Sequence, residues 1–225
     1  GGVIADYDSA AKMLQALMTQ AYGEKSMLNG YGDIISGVPY STTHVERRAL
    51  LNALETLHAR HTYLLFEPLA AALGMGLNIQ EPEGKLVIDI GGGITEIVVI
   101  SLSGIACFQS IKVAGDSMDE TIRHYFRKEY NMAIGMKTAE QVKIQVGAVM
   151  QELENEPEPM AVKGKELLRG LPITRTVDHR EIATVLEKSI SAIELGIIQT
   201  LETCPPELAA DIYGHGIYVT GGNAL

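Results

Sequence analysis

The segment Asp89-Ile90-Gly91-Gly92-Gly93-Ile94-Thr95-Glu96 constrains this chain more than any other. An apolar run, Leu86 to Ile90, precedes the glycines, and a run rich in β-branched residues, Glu96 to Leu102, follows them. The glycines therefore join a strand to a strand. Dinucleotide fingerprints and Walker loops instead lead from a strand into a helix. No GxxxxGK[ST] word occurs, and Gly164-Lys165-Glu166 lacks both the spacing and the hydroxyl. The segment reads as a hairpin tip. Glycines there let backbone N–H groups come close to an anion. Asp89, at the end of the first strand, is placed to hold a magnesium ion through its waters. The same residues also fit a glycine-rich turn with Asp89 as a turn acceptor.

Around this tip, helices and strands alternate. Helices are expected over 8–21, from the capping box Thr43/Glu46, from Pro68, over 117–129, and over 139–150 behind a second box, Thr138/Gln141. A long helix follows from Asp178 with Glu181 to about Thr203, where Pro205-Pro206 stops it. Strands are expected at 34–38, 62–66, 86–90, 96–102, 105–113 and 217–220, with two short ones flanking Gly164 to Gly170. Residues 152–159 are acidic and contain prolines, so they form a solvated loop. Boundaries near 116 and 180 would make the middle an inserted subdomain.

Two more segments bear on function. Val219-Thr220-Gly221-Gly222 puts paired glycines after an apolar strand, with a helix expected next. Such a turn lets an adenine lie against backbone, or is a plain strand-to-helix turn. In Phe66-Glu67-Pro68-Leu69-Ala70-Ala71-Ala72, proline forces an abrupt helix start and leaves Glu67 at the N-terminus, where its charge is favoured. That carboxylate either orients a water for attack on a phosphoryl group or is an acidic helix cap.

Composition narrows the classes. Apolar residues make up 46% and charged residues 20% of 225, which argues against disorder. The net charge of −10 disfavours direct binding to nucleic acid. Cys107 and Cys204 belong to no CxxC or zinc pattern and are expected as thiols in a reducing compartment. No apolar run reaches the roughly 18 residues of a membrane span, and no signal peptide is visible.

Together the three glycine and glutamate segments resemble the actin-like ATPase superfamily, and within it the MreB family of rod-shape-determining bacterial actins. Similar words run almost end to end: Gly2 to Tyr7, Gly37-Val38-Pro39 with Val45 to Ala49, Glu67 to Ala72, and Val87 to Leu102. Gly115 to Glu120, Thr138-Ala139-Glu140 with Lys143-Ile144, Gly170-Leu171-Pro172, Pro205 to Ile212 and Gly216 to Leu225 continue the series. Their order and spacing carry the resemblance.

The resemblance implies an α/β, actin-like (ribonuclease H-like) fold of two lobes closing on Mg-ATP. It implies a slow ATPase that polymerises with itself. Gly91, Gly92 and Gly93, with Thr95, match the second phosphate loop. Asp89 matches the aspartate that works on Mg2+ through water, and Glu67 the residue that positions the attacking water. Glu140 and Lys143 match the pair near ribose and adenine, although their i, i+3 spacing also fits an exposed ion pair. Gly221, Gly222 and Asn223 match the adenosine motif. Residues 1–80 would form part of the first lobe. Residues 81–116 and 181–225 would form the nucleotide-binding core of the second, and 117–180 its inserted subdomain.

Two departures from the family pattern stand out. Ile94 replaces the first of two usual threonines, removing a hydroxyl near the terminal phosphate. The family's N-terminal phosphate hairpin and its C-terminus are not in this sequence, so it reads as a fragment expected to bind nucleotide poorly. Met27 and Leu28 fall where some members carry a membrane-inserting pair; a loop folded back on its own helix is the alternative. The implied function is a cytoskeletal filament in the cytoplasm, peripheral to the inner face of the cell membrane. It would organise wall synthesis with membrane proteins of the cell-elongation machinery. Alternatives are a soluble chaperone-type ATPase, a plasmid-segregating cousin, a scaffold without hydrolysis, or a small-molecule kinase.

Overall fold

A computed structural model describes residues 7–23 and 31–224. Met27, Leu28 and the word Gly2 to Asp6 lie outside the described residues. The chain divides into two compact units, Gly1–Glu83 with Ile100–Gly104, and Gly84–Val99 with Ile105–Leu225.

The first unit contains α1 (Tyr7–Tyr22), β1 (Tyr31–Val38), α2 (His44–Glu55), β2 (Ala59–Phe66) and α3 (Glu67–Gly74). β1 and β2 pair in parallel, from Asp33 opposite His61 to Val38 opposite Phe66. A parallel pair needs a crossover, and α2 supplies it. α2 starts where the sequence places it: the Thr43 hydroxyl accepts from Glu46 N–H, and the Glu46 carboxylate accepts from Thr43 N–H at 2.7 Å. Its inner face buries Ala53 and Leu54, with Leu57 just beyond. The turn at 101–103 is fastened to residues 79–82. Ser101 donates its hydroxyl to Pro82 C=O, Leu102 N–H to Glu81 C=O, and Ser103 N–H to Ile79 C=O.

The second unit is built on a four-stranded sheet in the order β5-β4-β3-β9, with β3 Lys85–Ile90, β4 Thr95–Ser101, β5 Gly104–Ile111 and β9 Ile217–Thr220. Leu86 to Ile88 and Ile97 to Val99 are almost wholly buried, as a continuous apolar run predicts. β3 and β9 run parallel, Leu86 opposite Ile217 and Asp89 opposite Thr220. Between β5 and the long helix lie α4 (Gly115–Glu129), β6 (Met132–Ala133), α5 (Met136–Val146), β7 (Met160–Glu166) and β8 (Pro172–Val177). β6, β7 and β8 form an antiparallel sheet. α6 (His179–Glu202) is capped by the Asp178 carboxylate, which accepts from Glu181 N–H at 2.9 Å. One core joins α4, α5 and α6 through Ile122, Phe126, Val142 and Ile182. A second, of Leu86, Ile88, Ile97, Val99 and Ile212, includes both cysteines as buried free thiols.

Three expectations differ from the structure. α5 begins at Met136 behind Gly135, and no side chain caps it, so the Thr138/Gln141 box does not form. Helix propensity carries the first turn upstream of Thr138. β7 passes through Gly164 rather than ending beside it, and the connection to β8 turns at Gly170, whose φ is +72°. Pro205-Pro206 stops α6 but also opens α7 (Pro206–His215), with proline in the first turn. This is the favoured proline position already used for Pro68. Among the described residues no helix is long and apolar enough to cross a membrane.

Candidate functional site

Two glycine turns, each ambiguous alone, meet because β3 and β9 are parallel and in register. Asp89 lies opposite Thr220, so both strands deliver their C-terminal ends to the same edge. That edge is where open α/β sheets place ligands. Gly91, Gly92 and Gly93 leave β3, and Gly221, Gly222 and Asn223 leave β9.

The two turns are stitched together. Asn223 donates its backbone N–H to Ile90 C=O at 3.2 Å and its side-chain amide to Gly91 C=O at 2.8 Å. Gly221 sits at φ +96°, a region that L side chains avoid, and a Cβ there would run into the Ile90 carbonyl. The start of α4 adds a third strand of the stitching. Gly115 N–H donates to Gly91 C=O at 3.1 Å and Asp116 N–H to Gly92 C=O at 2.8 Å. A Cβ on Gly115 would lie 2.5 Å from the Asn223 amide nitrogen, so only glycine permits that approach.

These bonds use the carbonyls of the turn. Gly91 N–H closes the tip onto Ile94 C=O at 3.1 Å, whereas the N–H groups of Gly92 and Gly93 make no hydrogen bond among the described residues. Two free amides at a rigid, partly exposed tip are what a phosphate oxygen needs. Thr95 follows the tip at the start of β4. It is fully buried, and its hydroxyl donates to Val113 C=O at 2.7 Å, which fixes the start of β4 beside the tip.

Asp89 is half-buried beside the tip. Burial pushes its carboxyl above the ordinary 3.8, and the buried Glu96 carboxylate adds to the rise. Crowded acidic charge of this kind fits a divalent cation. Among the described residues no group of three or more His, Cys, Asp or Glu could hold a metal. A single carboxylate such as Asp89 is compatible with Mg2+ that keeps its waters and shares phosphate oxygens, which is how that ion is usually bound.

Lys143 reaches the start of α4. Its ammonium lies 2.9 Å from Asp119 Oδ1 and donates to Gly115 C=O at 3.1 Å, with both side chains largely buried. It makes no ion pair with Glu140, which is exposed on α5. Glu67 belongs to the first unit. It opens α3, and its side chain lies over β1, where a Cβ on Gly37 would be 3.2 Å from its Cγ.

Sequence reasoning did not single out two acids. Asp116 lies beside the tip, its Oδ1 3.6 Å from where a Gly92 Cβ would be. Asp119 is the buried partner of Lys143. Asp119 carried a readable signal, an acid on the buried stripe of Met118, Ile122 and Phe126.

The model of the MreB/Mbl protein family matches residues 1–225. The cell shape-determining protein MreB of Escherichia coli (strain K12) is 39% identical over 224 residues, which cover 100% of this chain and 64% of that protein. The cell shape-determining protein Mbl of Bacillus subtilis (strain 168) is likewise 39% identical over 224 residues, with 100% and 66% covered. Crystal structures of MreB5 of Spiroplasma citri bound to ADP and to AMPPNP share 40% identity, with TM-scores of 0.91 and 0.92. Each match covers 98% of this chain and 65% of that one. The chain thus spans just under two-thirds of the length of these relatives, and the expected actin-like α/β fold is the one observed. With every residue matched and the fold shared, the chain belongs to the MreB/Mbl family.

Proposed function

We propose that this chain carries the larger part of an ATP-dependent, filament-forming cytoskeletal protein. It determines rod shape by organising wall synthesis under the membrane. The observation that supports this best is the joining of the two glycine turns by Asn223 and the start of α4, which leaves Gly92 and Gly93 N–H free. In this reading Gly92 and Gly93 donate to phosphate oxygens, while Gly221 and Gly222 let the adenosine approach backbone. Lys143 and Glu140 border the ribose. Asp89 accepts from the cation's waters; Mg2+, when bound, neutralises the phosphates and draws charge from the leaving oxygen. Glu67 orients the attacking water. Hydrolysis is slow and sets filament lifetime; Ile94 offers no hydroxyl near the terminal phosphate.

By this reading residues 1–80 belong to the first lobe. Residues 81–116 and 181–225 make the core of the second, and 117–180 its inserted subdomain. Subunits stack head to tail, a heterologous contact that gives an open filament. Met27 and Leu28 hold the filament on the inner face of the membrane, beside membrane proteins of the elongation machinery.

Pelleting of the full-length protein with Mg-ATP, followed by negative-stain microscopy on lipid, tests this directly. Filaments lying on the bilayer are expected; turnover of ATP without filaments at any salt or concentration would contradict it. Glu67→Ala should assemble normally and release phosphate at least about ten-fold more slowly, as loss of a positioned base does. Normal release would remove Glu67 from the mechanism.

A further inference from the structure

The first unit holds a cavity of about 310 Å³. Its floor is apolar: Val38 ends β1, Leu64 and Phe66 come from β2, and Leu51 from α2. Its mouth is cationic, carrying His44, Arg47 and Arg48 from the start of α2. None of these residues belongs to the glycine turns.

The mouth is arranged against its own helix. Cations near a helix N-terminus oppose the macrodipole, yet α2 places two arginines, Arg47 and Arg48, in its first turn and a half. The acid in that turn, Glu46, directs its carboxylate to Thr43 N–H and forms no ion pair with them. Among the described residues, no carboxylate pairs with His44, Arg47 or Arg48. The Nε of Arg47 is enclosed and has no hydrogen-bond partner. Its guanidinium is nonetheless held in place, 5.8 Å from the centre of the Phe66 ring, which Tyr40 packs edge-on at 4.8 Å. A guanidinium held beside an apolar floor, with the exposed Arg48 next to it, is a recognition geometry for a planar anion.

We propose that this cavity binds a small organic acid, its apolar body on Val38, Leu64 and Phe66 and its carboxylate taken by Arg47 and Arg48. An inorganic ion would leave the floor wet, and an uncharged apolar molecule would leave the two guanidiniums without a counter-charge. The volume lies at the lower end of ligand pockets, roughly 300–1,000 Å³, which limits the acid to a single ring or a short chain.

The test reads the Arg47 side chain. The full chain, labelled with 15N-arginine, is titrated with 4-phenylbutyrate and with hexanoate while the arginine Nε–Hε signals are followed. 4-Phenylbutan-1-ol and 1-hexanol serve as uncharged counterparts, and Arg47→Lys identifies the Arg47 signal by its loss. A saturable shift of that signal with at least one acid is expected, with the matching alcohol about ten-fold weaker. Arg48→Gln, in a mouth position exposed enough to keep the fold, should weaken the acid several-fold. Shifts that never saturate, equal binding of acid and alcohol, or full affinity in Arg48→Gln would overturn the proposal. So would movement of the Arg47 signal with protein concentration alone, which would mean that a second copy of the chain covers the mouth.

Discussion

The carboxylates of Glu67 and Asp89 are positioned in opposite ways. In the first unit, order comes from neighbours in sequence: Thr43 and Glu46 cap α2, and Pro68 starts α3 with Glu67 in its first turn. In the second unit, order comes from residues far apart. Asn223 binds the carbonyl of Gly91, and Lys143 holds Asp119 and the Gly115 carbonyl. Local devices set where a helix begins, but a phosphate-sized turn with free amides needs walls from several segments. The lesson is that the second unit's site should fail cooperatively when any one stitch is cut, whereas the first unit's helix starts should weaken independently.

The sharpest way to break that contrast is Lys143→Met. It strands the buried Asp119 carboxylate at the foot of α4 and should cost about 3 kcal/mol, as breaking one side of a buried pair does. Chemical denaturation measures it, and adding Asp119→Leu should restore most of the loss. Gly221→Ala comes next. Strain at φ +96° should cost about 1–3 kcal/mol, and contact with the Ile90 carbonyl should displace the Gly91 turn as well. Mobility of the Gly92 and Gly93 amides in NMR relaxation would show the displacement. By contrast Thr43→Ala removes one local cap and should cost about 1 kcal/mol, leaving amide signals of the second unit unmoved. If those signals move too, the two kinds of order are not separate.

The smallest effect is a dependence on pH. Because the folded Asp89 carboxyl sits above its unfolded value, the folded chain binds that proton more tightly. Stability from this group is therefore fully present below about pH 3.8 and is lost as pH rises through the folded value. Without nucleotide or Mg2+, Asp89→Asn should melt slightly higher than the unaltered chain at pH 7. The gain should fade as pH falls toward 3.8. A gain that persists unchanged in acid would point to packing rather than charge.

The same division explains what the sequence made legible. Thr43/Glu46, Asp178/Glu181 and Pro68 announced their helices because each signal and its effect lie within four residues. Thr138/Gln141 carried the same signal and did not cap, because the helix was already under way from Met136. The glycine turn was readable as a tip between strands, but not the commitment of the Thr95 hydroxyl to Val113, eighteen residues away. Lys143 pointed by spacing to Glu140 and by fold to Asp119. The pairing that makes the candidate site, Asp89 opposite Thr220, depends on a parallel register across more than a hundred residues, which no local pattern encodes.

We propose that the stitched turn and Asp89 together hold a nucleotide's phosphates with Mg2+. Calorimetric titration of the full-length protein with AMPPNP, with and without Mg2+, tests it most directly when repeated on Asp89→Asn. Binding strengthened at least about ten-fold by Mg2+ is predicted, with that strengthening lost in Asp89→Asn while the metal-free affinity stays the same. Equal Mg2+ dependence in both proteins would contradict the account.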